Sequence, residues 1–356
     1  MQLNSDESPP KHFAIRVDVL GDVLVETAEQ MPELNVVGCD NYSSDSVTDS
    51  SPGFELSGWL PLLECPGCGG PLQELQHTPG AGCPMCEREF PIEDGILRCL
   101  NLDVADPEAA IKQQEVSIRD SEANVYEQRF KQLRSQMEIP TSLKSLELKR
   151  QDVVAELGCG TGRFTLQMAP RVKRLVAVDF SVESLKRIQQ RLSPEVSRRV
   201  LLVQADITAL PLAQRAFSKV ASFQVLEHLP SPASRERAIR SASKLLQPGG
   251  TFTASVYNWS LEKQRWAKQG LGDNTLKEGF HQTGIYYYNF ESEELRQLFH
   301  EAEVRVTELR GLIVPFRGAS LLGVGSVLIS RWLSGTSYGI RRGHLLLIRG
   351  TRPVHA

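Results

Sequence analysis

Three alternate glycines, Gly158, Gly160 and Gly162, stand between the apolar run VVA at 153–155 and the helix-permissive run RFTLQMA at 163–169. Glycine tolerates left-handed backbone and lets a ligand pass close to the chain, so this spacing asks for a strand that turns sharply into a helix. Thr161 adds a hydroxyl to the same turn. The plainer reading of the glycines is a tight packing turn. From about Asp152 onward the short apolar runs VVAELG, RLVAVDF, RVLLVQADI, KVASFQVL and TFTASVYN alternate with longer helical stretches. That recurrence predicts an α/β fold, a parallel sheet with helices on both faces.

Seven cysteines are present, and four of them form the pairs Cys65-Pro-Gly-Cys68 and Cys83-Pro-Met-Cys86, with 14 residues between the pairs. Two such turns bring four thiolates together as a tetrahedral zinc site, which would support a segment with little apolar core of its own. Four thiolates leave no position for an activated water, so the predicted metal is structural. Independent buried thiols are the alternative. Cys99 reads as a core thiol, and His77 between the pairs is not needed as a ligand.

The expected boundaries follow. Residues 1–59 form an N-terminal extension with one or two strands and an acidic linker; 60–104 form the small zinc-supported domain. Residues 105–150 are a helical linker and cofactor cap, and 151–356 form the α/β domain with a substrate-facing insert at about 258–290. Charge divides along the same lines: residues 1–110 carry 20 acids and 4 bases, whereas 111–356 carry 23 acids and 36 bases. The start lacks the pattern of a secretory signal, and no apolar run reaches the ~18 residues of a spanning helix. A soluble, cytoplasmic protein is expected.

Asp179 ends the second apolar strand, where a carboxylate suits two ribose hydroxyls; a helix cap or a nicotinamide dinucleotide site would use it equally well. Taken in order, ELGCGTGRF, Asp179, QADITALPL, QVLEH and LLQPGGTFTASVYN resemble class I S-adenosylmethionine-dependent methyltransferases of the methyltransferase type 11 branch, over residues 152–258. The resemblance implies a Rossmann-like sheet and assigns roles along it. Glu156 and Gln224 would serve the methionine end and Gly158, Gly160 and Gly162 the turn. Asp179 would bind the ribose, Asp206 the adenine amino group, and Ile207 would flank the ring. Tyr126, in RDSEANVYEQRF, would cover the cofactor with Phe130 behind it, and Arg119 reads as a solvated helix charge. Residues 60–100, through the cysteine pairs and FPIEDGILRCL, resemble the zinc-ribbon part of Trm112-like proteins, and such ribbons precede methyltransferases that include enzymes of ribosomal RNA.

Glu227, His228 and His281 are the candidate catalytic residues, against a reading as structural polar positions. Tyr257, Asn258, Trp259, Tyr286, Tyr287 and Tyr288 are the candidate acceptor wall. The uncharged run 318–330 would be a lid, a membrane-peripheral helix or a subunit contact, and the basic region after 303 would meet an anionic acceptor, RNA or the acidic N-terminal half. These readings combine into a methyltransferase acting on an oxygen of a small or lipid-like metabolite, with S-adenosylmethionine and one structural zinc. The competing readings are an RNA base methyltransferase, an NAD-dependent oxidoreductase and a noncatalytic cofactor-binding partner protein.

Overall fold

A computed structural model describes residues 55–101, 107–123, 132–270, 276–319, 322 and 325–354. The strands expected before residue 55, and Tyr126 with Phe130, lie outside the described residues. The cysteine segment forms β1 (Gln73–Glu74), β2 (Gly80–Gly82), β3 (Glu89–Glu93) and β4 (Ile96–Arg98), and two helices follow, α1 (Ala109–Glu122) and α2 (Gln132–Leu146). Then come β5 (Val153–Leu157), α3 (Thr165–Met168), β6 (Arg174–Asp179), α4 (Val182–Arg191), α5 (Pro194–Ser197), β7 (Val200–Gln204), β8 (Phe217–Phe223), α6 (Pro232–Leu245) and β9 (Leu246–Tyr257). The chain continues with α7 (Leu261–Gln269), β10 (Glu278–Phe280), β11 (Tyr286–Tyr288), α8 (Ser292–Glu301), β12 (Arg305–Leu312), α9 (Gly325–Leu333), α10 (Ser337–Arg342) and β13 (Leu345–Thr351).

The apolar runs form parallel strands because they are buried on both faces, as β6 illustrates: Leu175 to Val178 are all fully covered. The sheet runs β1-β2-β3-β4-β7-β6-β5-β8-β9-β13-β12. Strands β7, β6, β5, β8 and β9 are parallel, and β13 enters antiparallel between β9 and β12. Strand order reverses at β5, so a crevice opens beyond the carboxyl ends of β5 and β8. The expected α/β sheet is present, with clusters of buried side chains on its two faces.

The small cysteine-bearing unit is continuous with that sheet. β4 pairs in parallel with β7, Ile96 opposite Leu202 and Arg98 opposite Gln204, and Trp59, Leu63, Phe90 and Leu97 pack into the same core as Leu201 and Val203. The expected connecting helix is two helices, and the second accommodates Pro140 in its interior.

On one face, Phe252 of β9 stacks against Phe299 of α8 with ring centroids 4.9 Å apart, both fully buried. Phe252→Ala is expected to lower unfolding stability by about 3–5 kcal/mol, read from the midpoint of chemical denaturation.

Candidate active site and cysteine cluster

The turn after β5 is held by hydrogen bonds that converge on Asp179. Its carboxylate accepts from the Gly160 N–H (2.7 Å) and from the Ser181 N–H (2.9 Å), tying the turn after β5 to the end of β6. Gly158 and Gly160 both adopt positive φ, +73° and +52°. A Cβ at Gly158 would lie 2.4 Å from a Val225 methyl carbon, whereas one at Gly160 would meet nothing within 4 Å and would project into open space. Gly162, expected beside the ligand, instead packs under α4, where an added Cβ would meet Ile188 at 2.8 Å.

Beyond these strand ends lies a cavity whose acids follow the order of the sheet: Asp206 after β7, Asp179 at β6 and Glu156 at β5. Ile207 lines it beside Asp206, and Gln224 and His228 line it after β8. Burial pushes the Glu156 carboxyl up to about 8, against a hydrogen bond donated by Thr165 Oγ1 at 2.6 Å. Burial also raises Asp179, against the two backbone donors. Gln224 sits at φ +57°, an uncommon conformation for a side-chain-bearing residue, and its Nε2 donates to Glu138 of α2 at 2.7 Å. Glu138 is fully buried and pairs with Arg163 at 2.7 Å.

Helix α1, within the 105–150 segment expected to cap the cofactor, lines the cavity. Its Lys112 reaches Asp206 at 2.8 Å, and Glu115 and Arg119, themselves paired at 3.3 Å, face the cavity. Arg119 is therefore a cavity residue and not a solvated charge. Lys112, Glu115 and Arg119 recur at helical spacing, a signal that charge alone made look like an exposed face. Leu100, just past β4, also lines the cavity, so the cysteine segment supplies part of its wall.

The two histidines come together with two of the tyrosines. The His228 ring lies 5.8 Å from Tyr257 and 6.2 Å from His281, whose ring is 4.8 Å from Tyr287. His228 Nδ1 is 2.8 Å from the Tyr286 carbonyl oxygen. A carbonyl only accepts, so Nδ1 carries the proton and Nε2 of the neutral ring is left as the acceptor. Burial first, then the Arg119 charge, hold the His228 pKa well below the usual histidine range; the same causes lower His281.

The remaining expected acceptor residues are occupied elsewhere. Asn258 Nδ2 donates to the carbonyls of Ile340 (2.9 Å) and Gly343 (2.7 Å). Trp259 is half-buried outside the cavity wall, and its backbone N–H donates to the Phe290 carbonyl oxygen. The Tyr286 and Tyr288 hydroxyls donate to Glu278 and Glu294, each at 2.6 Å, and the Arg235 guanidinium covers the Tyr288 ring at 3.9 Å. Glu227 is fully buried outside the cavity wall, and neither carboxyl oxygen has a hydrogen-bond partner among the described residues. Burial pushes it up to about 8.

The four paired cysteines form a separate cluster. Their sulfurs all lie within 4.8 Å of one another, with Cys65 to Cys86 at 3.5 Å and Cys68 to Cys83 at 3.4 Å. Four thiolates 2.3 Å from one ion would stand ~3.8 Å apart, so the donor set and its spacing fit a tetrahedral metal. Cys99 and Cys159 are buried apart from the four, and burial raises both thiols.

Residues 154–250 match the family model described as a methyltransferase domain. The chain is 35% identical over 86 residues to a 23S rRNA (uracil(1939)-C(5))-methyltransferase of Haemophilus influenzae, covering 23% of this chain and 20% of that protein. It is 31% identical over 107 residues to the 27-O-demethylrifamycin SV methyltransferase of Amycolatopsis mediterranei, covering 30% of this chain and 38% of that one. Among solved structures, a complex between the Haloferax volcanii Trm112 methyltransferase activator and a methyltransferase aligns at 17% identity and a TM-score of 0.48, over 69% of this chain and 99% of the matched chain. The chain thus spans well under two thirds of the two curated relatives. Residues 154–250 are therefore similar to a methyltransferase domain, and a four-cysteine cluster lies on their N-terminal side. Among the described residues, no helix is long and apolar enough to cross a membrane.

Because Glu227 is held neutral in the fold and has an ordinary carboxyl pKa when unfolded, its burial favours folding at low pH. That contribution is lost as pH rises from the unfolded value of 4.5 through about 8. Glu227→Gln, which does not titrate, is expected to flatten part of the decline in Tm between pH 5 and 8.5, measured by thermal melts across that range.

Proposed function

We propose that this protein transfers the sulfonium methyl of S-adenosylmethionine to an oxygen of a small or lipid-like acceptor. The observation that carries the reading is the cavity in which Asp206, Asp179 and Glu156 stand in sheet order beside a glycine turn open to a ligand. Those residues fit the donor's three parts. Asp206 and Ile207 suit the adenine edge and ring, Asp179 the ribose hydroxyls, and Glu156 with Gln224 the methionine end. Gly162 supports the turn from behind, and Tyr126 remains the proposed cover.

The bound donor supplies an electrophilic methyl carbon whose bond to sulfur breaks as the acceptor oxygen bonds to it, leaving S-adenosylhomocysteine. The chain's own part is alignment and proton removal. His228, in the cavity wall, serves as a neutral base whose Nε2 takes the acceptor's proton. The Tyr286 carbonyl fixes its tautomer. Tyr257, His281 and Tyr287, grouped with the His228 ring but not themselves in the cavity wall, are proposed to border the acceptor. Asn258, Trp259, Tyr286 and Tyr288 hold the frame around that border, and Glu227 contributes as a neutral buried group.

The cysteine cluster is proposed to hold zinc as a structural ion. Cys83→Ser should lower the zinc content measured by atomic absorption and lower the Tm of the whole chain, since β4 belongs to the main sheet.

Purified protein incubated with labelled S-adenosylmethionine and metabolite, lipid and RNA fractions is expected to yield S-adenosylhomocysteine and a methylated small molecule. No donor binding by the folded, zinc-loaded protein overturns the reading, and a methylated RNA redirects it to the nucleic-acid alternative. With the acceptor in hand, His228→Gln should reduce kcat by about 10²–10⁴ with donor affinity retained. With donor saturating, kcat should show no loss from protonation of His228 until the pH falls well below 6.5, because burial and the Arg119 charge keep the ring neutral.

A further inference from the structure

Helix α9 is built inside out. Its buried face carries Ser326, Val327 and Ser330, and Ser330 Oγ accepts the Val314 N–H at 2.8 Å. At 100° per residue, Leu328, Ile329 and Trp332 share an arc of roughly 100° on the opposite side. They are 66%, 36% and 76% exposed. Leu322 and Tyr338, also exposed, flank this stripe. Five of the ten exposed large hydrophobic residues among the described ones fall within 322–338, so the patch is a cluster and not the ordinary scatter of surface apolar groups.

The charged residues of the chain segment that carries the patch have one sign. Arg317, Arg331 and Arg341 are exposed. Residues 309–356 contain seven arginines, no lysine and no aspartate or glutamate. A nine-residue helix, ~14 Å long, is too short to span a bilayer but suits one lying flat in its interface. There leucine and isoleucine enter the acyl boundary, tryptophan sits at headgroup depth, and arginines meet lipid phosphates. RNA would use the arginines but leave the apolar stripe in water.

We infer that α9 and the residues flanking it dock this protein onto an anionic phospholipid surface. The inference goes beyond the proposed methyl transfer and does not rest on it. The placement also relates the docked face to the cavity. Val314 follows β12, whose Leu312 pairs with Leu345, which in turn pairs with Tyr257 at the carboxyl end of β9. The docked helix is thus tied through β12 and β13 to the carboxyl end of β9, where Tyr257 stands two strands in from the edge.

The test uses the full chain with vesicles of phosphatidylglycerol in phosphatidylcholine, and needs neither donor nor acceptor. Co-sedimentation and a blue shift of tryptophan emission are expected, weaker with phosphatidylcholine alone and at high salt. The double variant Leu328→Ser, Trp332→Ser removes only exposed side chains, so its melting curve should match the wild type while its lipid affinity falls about tenfold or more. Trp332→Phe should keep binding and lose most of the blue shift. Failure of the folded wild type to bind these vesicles, or binding that the double variant leaves intact, overturns the proposal. So does a dimer in sedimentation equilibrium that the double variant splits while vesicles do not bind, which would assign the face to a second copy.

Discussion

Asp179 holds the glycine turn after β5 in the shape on which the rest of the site depends. One carboxylate oxygen takes the Gly160 N–H and the other the Ser181 N–H, which fixes the turn against the end of β6 and the start of α4. The turn needs left-handed backbone at Gly158 and Gly160, and Val225 presses so close to Gly158 that a side chain there would displace the segment after β8. One buried acid thus ties the ends of β5 and β6 together, while the Gly158–Val225 contact sets how closely the segment after β8 approaches. Its desolvation is offset by charge-assisted bonds from two backbone donors.

Around that clamp the cavity is walled by parts from distant stretches of chain. Lys112 of α1 pairs with Asp206, and Asp120 of α1 accepts from Ser181 Oγ at 2.6 Å, so the helix is pinned at both ends of the site. Leu100 arrives from the cysteine segment because β4 adds to the edge of the sheet at β7. The cysteine cluster and the cavity are therefore linked through continuous hydrogen-bonded strands. Stabilising the one stiffens a wall of the other.

The histidine beyond β8 shows how the fold selects a protonation state. His228 is forced neutral by burial and by Arg119, and the Tyr286 carbonyl fixes which nitrogen is bare. Tyr286 thus matters here through its main chain, while its hydroxyl is engaged with Glu278.

The sequence by itself determined the parallel sheet, the strand-to-helix turn and the pairing of four cysteines, because each is written in local spacing: apolar runs, alternate glycines and two Cys-x-x-Cys turns. It also determined the order of Glu156, Asp179 and Asp206, since each stands in or just after its own strand. Only the tertiary structure decided that Lys112, Glu115 and Arg119 point inward, that the Asn258 amide bonds to α10 and the residue after it, and that α9 turns its tryptophan outward. Periodicity marks which residues share a helix face, but whether that face meets a core, a cavity or water depends on what the rest of the chain packs against it.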